Sequence, residues 1–129
     1  MASPTDMRVL VIDDQLSMRT LIQNSLRELG FRQIETAADG MAGLETIIAT
    51  RPHLVLTDYN MPHLDGLSVL KGVRSHKAIR NTAVFLLTGR SDQELVKRAV
   101  QFGVNNYLVK PFSTATLKSK IEDVFGVLA

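Results

Sequence analysis

Five short apolar segments, separated by longer amphipathic stretches, constrain the fold of this chain more than any other feature. The clearest one, at the amino-terminal end, reads RVLVID and is rich in branched side chains. Short, continuously apolar segments are typical of strands that are buried on both faces, as in a parallel sheet. We therefore predict strands at Arg8–Asp13, Gln33–Ala37, Leu54–Asp58, Ala83–Thr88 and Asn106–Val109.

The stretches between and after these strands carry apolar residues at helical spacing, which predicts five helices. We predict that the first helix ends at Gly30 and the second before Pro52. The fourth begins at a capping box formed by Ser91 and Glu94 and ends near Gly103. The last apolar position of the fifth helix is Leu128. Five strands alternating with five helices predict an α/β domain with a parallel sheet and right-handed crossovers.

Composition excludes several classes of protein. The 129 residues, 45% of them apolar, fit one globular domain that we expect to span residues 1–129. Cysteine is absent, so disulfide frameworks, thiolate metal sites and cysteine nucleophiles are excluded. The net charge of +2 is not concentrated in a basic run, which argues against a nucleic acid partner. No apolar segment is long enough for membrane insertion, and we expect a soluble, cytoplasmic protein.

Polar side chains stand where the predicted strands end. Asp13 and Asp14 close the first strand, Asp58 the third and Thr88 the fourth, and Lys110 follows the fifth. The carboxyl ends of parallel strands share one edge of the sheet, where ligands bind in such folds. We therefore expect three carboxylates, a hydroxyl and an ammonium group to converge there.

Such a cluster favours a cation and a phosphoryl group. Two carboxylates about 4 Å apart repel by about 4 kcal/mol at an effective dielectric constant of about 20. Ligation by carboxylates alone suits a hard ion such as Mg²⁺ or Mn²⁺. Lys110 and Thr88 can hold phosphoryl oxygens, and a carboxylate nucleophile beside a metal ion and a lysine can form an acyl phosphate.

Four motifs, in this order, carry a resemblance to a known family: VLVIDDQLSMR, LVLTDYNMPHLDGL, the Thr-Gly step at Thr88, and NYLVKPFSTATL. Together they resemble the receiver domains of two-component response regulators, most of all the single-domain chemotaxis regulators of the CheY type. The resemblance covers nearly the whole chain. It implies a flavodoxin-like fold with strand order 2-1-3-4-5, and a signalling protein, not an enzyme, that is phosphorylated by a histidine kinase.

The resemblance also implies roles for single residues at the acidic end. Asp58 would be the phosphoacceptor. Asp13 would hold Mg²⁺ mainly through water and Asp14 directly, and Asp58 with the backbone carbonyl of Asn60 would complete the protein ligands.

Further implied roles concern the phosphoryl group and the switch. Lys110 and Thr88 would hold the phosphoryl oxygens. Thr88 would move inward on phosphorylation, and Tyr107 would change from an exposed to a buried rotamer behind it. The Lys110–Pro111 peptide bond would be cis.

Two positions depart from the chemotaxis pattern: Tyr59 stands where those proteins commonly have Trp, and Arg90 where they commonly have an acidic residue. Asn60 and Arg90 would flank the path of an attacking water and would tune self-dephosphorylation. Arg90 would also alter recognition by a helper phosphatase.

The resemblance places output on the face of the fourth helix, fifth strand and fifth helix, with a flagellar motor switch as the leading target. Its predicted members are Arg90, Lys97, Arg98, Tyr107 and Lys118. A merely solvated basic surface explains the charges on these helices equally well.

Other functions remain open at this point. A phosphate sink would drain a kinase without binding a target. A phosphohydrolase with an aspartyl nucleophile would want an acid two residues after Asp58, where Asn60 stands. A flavin or nucleotide carrier would want a glycine-rich loop, and none follows Asp13.

Overall fold

The computed structural model describes residues 2–89 and 93–129. Within them, five strands alternate with five helices. They are β1 (Arg8–Ile12), α1 (Leu16–Glu28), β2 (Gln33–Ala37), α2 (Gly40–Thr50), β3 (Leu54–Asp58), α3 (Gly66–Ser75), β4 (Ala83–Thr88), α4 (Gln93–Gln101), β5 (Asn106–Val109) and α5 (Thr114–Phe125). None of the described helices has both the length and the apolar character needed to cross a membrane.

All five strands are parallel and form one sheet in the order β2-β1-β3-β4-β5. This confirms the α/β fold that the apolar segments predict and the strand order that the resemblance implies. β1 and β3 lie at the centre, and β4 and β5 continue the sheet on one side. The carboxyl ends of β1, β3, β4 and β5 therefore lie next to one another at one edge.

Alternate residues of the strands enter two separate cores, which explains why the segments are continuously apolar. The first core packs α1 and α5 against one face of the sheet through residues such as Ile22, Leu26, Leu117 and Ile121. The second core packs α2, α3 and α4 against the other face, through residues such as Ile47, Leu70, Val73 and Ala99.

Glycines with positive φ end two helices as the sequence predicts. Gly30 has a φ of 101° and Gly103 a φ of 81°, a backbone region that side chains disfavour. The predicted extent of the fifth helix is wrong. It ends at Phe125 because Gly126 turns the chain with a φ of 85°, and Leu128 instead forms a short parallel bridge to the amino-terminal segment.

The structure differs from the sequence-based prediction at the end of β1 and at two apolar helix positions. β1 ends at Ile12, one residue before the predicted end at Asp13. Leu21 and Val100 match the helical spacing and yet are 56% and 63% exposed. Ser91 of the predicted capping box lies outside the described residues.

Candidate functional site

The acidic residues at the carboxyl end of the sheet come together as predicted. Carboxylate oxygens of Asp13, Asp14 and Asp58 lie within 4.8 Å of one another. Asp13 is fully buried, Asp58 is 6% exposed, and Asp14 is exposed at the mouth of the cluster. β1 and β3 pair directly in the sheet, so their ends bring together residues that are more than 40 positions apart.

The carboxylate of Asp13 is only half satisfied by hydrogen bonds. Its Oδ1 accepts from the amide of Gln15 at 2.9 Å, and its backbone carbonyl accepts from the Arg19 guanidinium at 2.7 Å. Its Oδ2 is buried and has no hydrogen-bond partner among the described residues. The nearest opposite charge, the Lys110 ammonium, lies 3.7 Å away. A buried carboxylate oxygen without a donor is costly unless a cation binds it.

Asp58 is held by Lys110, whose Nζ donates to Asp58 Oδ1 at 3.0 Å. Burial raises the pKa of the Asp58 carboxyl, and the hydrogen bond and positive charge of Lys110 act against that rise. The negative charges of Asp13 and Asp14 raise the pKa of Asp58 further. The ionised carboxylate of Asp58 therefore depends on nearby positive charge, here the Lys110 ammonium, for its stabilisation.

The backbone around Asp58 is fixed by close packing. The amide of Tyr59 donates to the carbonyl of Leu87 at 2.8 Å, and the amide of Gly66 donates to the carbonyl of Tyr59 at 2.9 Å. A Cβ atom on Gly66 would overlap the carbonyl oxygen of Asp58 and would lie 2.9 Å from a Leu86 methyl group. Only glycine allows α3 to begin this close to the end of β3.

Thr88 and Lys110 are joined through the backbone at the neighbouring strand ends. The Lys110 amide donates to the Thr88 carbonyl at 2.7 Å, and Thr88 is 5% exposed. The Lys110–Pro111 peptide bond is cis, which confirms what the resemblance implies. The hydroxyl and the ammonium group thus belong to the ends of β4 and β5, the two strands on one side of β3.

The cluster fits a hard divalent cation. Its donors are carboxylate oxygens, the ligands that Mg²⁺ prefers. Oδ2 of Asp13 has no donor among the described residues, and burial raises the pKa of Asp58 despite its contact with Lys110, so a bound cation would stabilise both carboxylates.

Asp14 does not cap the first helix. The residue at the N-cap of α1 is Gln15, and no side chain makes the capping hydrogen bond there. Asp14 is exposed beside the cluster instead.

The other predicted residues that the structure describes lie on the loop after β3, on β5 and on two helices. Asn60 is exposed on the loop that follows β3, and Tyr107 is half-buried on β5. Lys97 and Arg98 are exposed on α4, and Lys118 is exposed on α5.

Among the described residues, the exposed basic side chains of α4 and α5 form one ion pair, and that pair is weak. Lys97 lies 3.8 Å from Glu94, but both side chains are more than two-thirds exposed, so this pair adds little stability. Arg90, predicted both for rate tuning and for the partner face, lies outside the described residues.

Two contacts of predicted site residues were not predicted from the sequence. Arg19 lies within the first motif, and its guanidinium donates a hydrogen bond to the Asp13 carbonyl. Lys120 places its ammonium 4.8 Å from the centre of the Tyr107 ring. Neither contact has a sequence signal beyond a basic residue on a helix.

Known proteins share both the sequence pattern and the fold. The chain is 43% identical over 121 residues to the probable chemotaxis protein CheY of Rhizobium etli, covering 94% of each protein. The solved structure of chemotaxis protein CheY4 from Vibrio cholerae has a TM-score of 0.86 at 31% identity, covering 92% of this chain and 98% of that one.

A further solved relative is the receiver domain of the sensor histidine kinase PA1611 from Pseudomonas aeruginosa, with a TM-score of 0.83 at 30% identity, covering 93% of this chain and 98% of that one. Residues 9–122 match the family described as the response regulator receiver domain, which includes every residue of the acidic cluster. The chain therefore belongs to the response regulator receiver domain family.

Proposed function

We propose that this protein is a stand-alone response regulator that accepts a phosphoryl group from a histidine kinase on Asp58. One observation carries the proposal: the carboxylates of Asp13, Asp14 and Asp58 share a cluster, with Lys110 3.0 Å from the would-be nucleophile. The relatives named as chemotaxis proteins support the same assignment at the level of the family.

Mg²⁺ is the proposed cofactor, with Mn²⁺ as a substitute. Asp14 and Asp58 would bind it directly, Asp13 mainly through water, and the Asn60 carbonyl would complete the protein ligands. When bound, the ion neutralises charge that builds up on the transferring phosphoryl group. The related PA1611 receiver domain was solved with a magnesium ion coordinated in its active site cleft, which supports this choice.

The residues of the chain divide the transfer among them. A carboxylate oxygen of Asp58 attacks phosphorus as the bond to the imidazole nitrogen of the donor breaks, which leaves an aspartyl phosphate. Lys110 releases Asp58 Oδ1 and holds a phosphoryl oxygen, and the Thr88 hydroxyl donates to another. Water later hydrolyses the acyl phosphate, at a rate tuned by Asn60 and Arg90.

The proposed output is a change of surface. Thr88 moves towards the phosphoryl group, and the Tyr107 ring moves from its half-buried position to a buried one. The face formed by α4, β5 and α5 then binds a target, for which a flagellar motor switch is the first choice, given the chemotaxis relatives. Lys97, Arg98 and Lys118 are exposed, so their charges are accessible to an acidic partner there.

Phosphorylation of the intact protein tests the proposal directly. Incubation with acetyl phosphate and Mg²⁺ is expected to add the mass of one phosphoryl group, and hydroxylamine is expected to remove it. The Asp58→Asn variant is expected to gain nothing. The matched control is Asp123→Asn, since Asp123 is an exposed acid on α5. A stable adduct on the Asp58→Asn protein would contradict the assignment.

A second experiment separates a regulator with a target from a phosphate sink. Purified chemotaxis-type kinase and motor switch protein would be tested for binding with and without beryllofluoride, an acyl-phosphate mimic. Tighter binding of the switch protein with beryllofluoride supports the output role, and kinase binding alone supports a sink. Turnover of free phosphoesters at enzyme-like rates would favour a phosphohydrolase, which Asn60 argues against because it is a weak general acid.

A further inference from the structure

Lys120 is placed unlike the other lysines outside the acidic cluster. Lys110 and Lys120 are the two lysines that the fold partly buries, whereas the others are exposed. Lys110 has carboxylate partners. Lys120 forms no ion pair with any described carboxylate, and its ammonium lies 4.8 Å from the centre of the Tyr107 ring. The aromatic face is therefore the electrostatic partner of this charge.

Lys120 reaches Tyr107 from the opposite side of the sheet. The ring packs against the second core, on the side of α4, whereas α5 packs in the first core. β5 is an edge strand, so the Lys120 side chain can pass around the open edge to the ring. The ring is thus bounded by the core on one side and by an ammonium group at the open edge.

Asn106 fixes the backbone of both partners. Its side-chain amide donates to the carbonyl of Lys120 at 3.1 Å, and its Oδ1 accepts from the amide of Tyr107 at 3.0 Å. One side chain therefore joins β5 to α5 at the level of the ring. This connection holds the base of Lys120 in register with Tyr107 and limits the conformations that the contact must order.

We propose that Lys120 is a positioning residue for Tyr107, and that its ammonium stabilises the half-buried ring over a more deeply buried one. Lys120 then sets how readily phosphorylation of Asp58 moves the ring. This inference rests on the proposed switching role of Tyr107. A cation–π contact at a partly exposed site changes such an equilibrium by about two- to fivefold.

Tyrosine fluorescence can report on this ring alone. The chain has no tryptophan and only two tyrosines, so in a Tyr59→Phe background all tyrosine emission comes from Tyr107. Acrylamide quenching then measures the accessibility of the ring, first in metal-free protein and then during a beryllofluoride titration with Mg²⁺. In this background, Lys120→Met is expected to lower the quenching constant without metal. It is also expected to lower the midpoint of the beryllofluoride response by about two- to fivefold.

Two matched variants isolate the charge. Lys120→Arg keeps a cation over the ring and is expected to restore the behaviour of the parent. Lys71→Met removes the other described cation–ring contact, in which Lys71 lies 4.5 Å from the centre of the Phe102 ring, and is expected to change neither value. The inference is overturned if Lys120→Met matches the parent or raises the quenching constant, or if Lys120→Arg behaves like Lys120→Met.

The experiment also separates this inference from the function on which it rests. If beryllofluoride leaves the quenching of Tyr107 unchanged in the Tyr59→Phe protein, the switching role of Tyr107 is wrong. If beryllofluoride protects the ring but Lys120→Met shifts neither value, the switch stands and the role of Lys120 is wrong.

Discussion

Each end of the sheet holds charge that the fold withdraws at least partly from water, and the two ends satisfy it differently. At the amino end, the half-buried Arg74 guanidinium donates five hydrogen bonds to the carbonyls of Arg80, Thr82 and Gly103 and to the side chain of Asn105, at 2.7 to 3.1 Å. At the carboxyl end, Asp13 Oδ2 is fully buried and has no donor among the described residues.

The difference in hydrogen bonding indicates which end of the sheet would be stabilised by a ligand. The amino end is complete, because Arg74 satisfies the turn after α3 and the turn after α4 together. At the acidic end, a buried carboxylate oxygen has no donor in the described part of the chain, so the carboxylates lower the free energy of unfolding unless a cation binds them. Local conflicts of this kind are expected where a protein has a function. Substitutions at each end of the sheet test this difference.

The largest expected effect is at the amino end. Arg74→Met removes all five hydrogen bonds, including the part-buried one to the Thr82 carbonyl, so we expect the free energy of unfolding to fall by about 2–4 kcal/mol. Urea unfolding measures this change. Arg80→Met is the control, because Arg80 is an exposed arginine in the same region, and it should stay within about 0.5 kcal/mol of the parent. Equal effects of the two variants would show that the hydrogen bonds of Arg74 do not stabilise the amino end of the sheet.

The next effect concerns the packing that fixes Asp58. Gly66→Ala should lower the free energy of unfolding by about 1–3 kcal/mol, because the new methyl group overlaps the Asp58 carbonyl and displaces the end of β3. It should also weaken Mg²⁺ binding. Gly72→Ala, in the same helix, meets only the flexible tip of Leu44 and gains helix propensity, so it should change stability by less than about 1 kcal/mol. A Gly66→Ala protein with the stability and Mg²⁺ affinity of the parent would show that this contact is unimportant.

Neutralising one buried acid should have the opposite sign. In EDTA, Asp13→Asn should raise the free energy of unfolding by about 1 kcal/mol, because it relieves repulsion with Asp58 while its Oδ1 can still accept from the Gln15 amide. Asp123→Asn, on the exposed surface of α5, should change nothing measurable. A less stable Asp13→Asn protein would mean that its contact with Lys110 outweighs the repulsion.

The smallest effect is a pH dependence. The pKa of Asp58 is raised above its ordinary value of 3.8, chiefly by burial. The destabilising effect of its charge is therefore fully present above the raised pKa and is lost as pH falls through it. The gain in unfolding free energy of Asp58→Asn over the parent, measured in EDTA by urea unfolding, should shrink on acidification from pH 7 and level off below about 3.8. A gain that grows on acidification would mean that the pKa of Asp58 is lowered.

The fold and the acidic cluster were predictable because both follow from patterns along the chain. The continuously apolar strands indicate a sheet covered on both faces, and parallel strands bring their carboxyl ends to one edge. The convergence of Asp13, Asp58 and Lys110 could be predicted because each of them lies at, or directly after, the last residue of a strand.

Features that depend on the path of distant segments were not predictable in this way. Arg74 meets Gly103, 29 positions away, only because α3 and α4 end on the same side of the sheet. Lys120 looks like any polar helix residue until α5 is packed beside the edge strand. The end of the fifth helix is a different case, because Gly126 carries the same sequence signal as Gly103, and the apolar Leu128 beyond it obscured that signal.

Mg²⁺-dependent stability shows whether the carboxylates of the acidic cluster form one cation site. Unfolding of the parent, Asp13→Asn and Asp123→Asn proteins would be measured with EDTA and with increasing Mg²⁺. We expect Mg²⁺ to stabilise the parent and Asp123→Asn proteins, by about 2.7 kcal/mol at a hundredfold excess over Kd, and to stabilise Asp13→Asn much less. Equal stabilisation of Asp13→Asn and the parent, or none in the parent, would contradict the account.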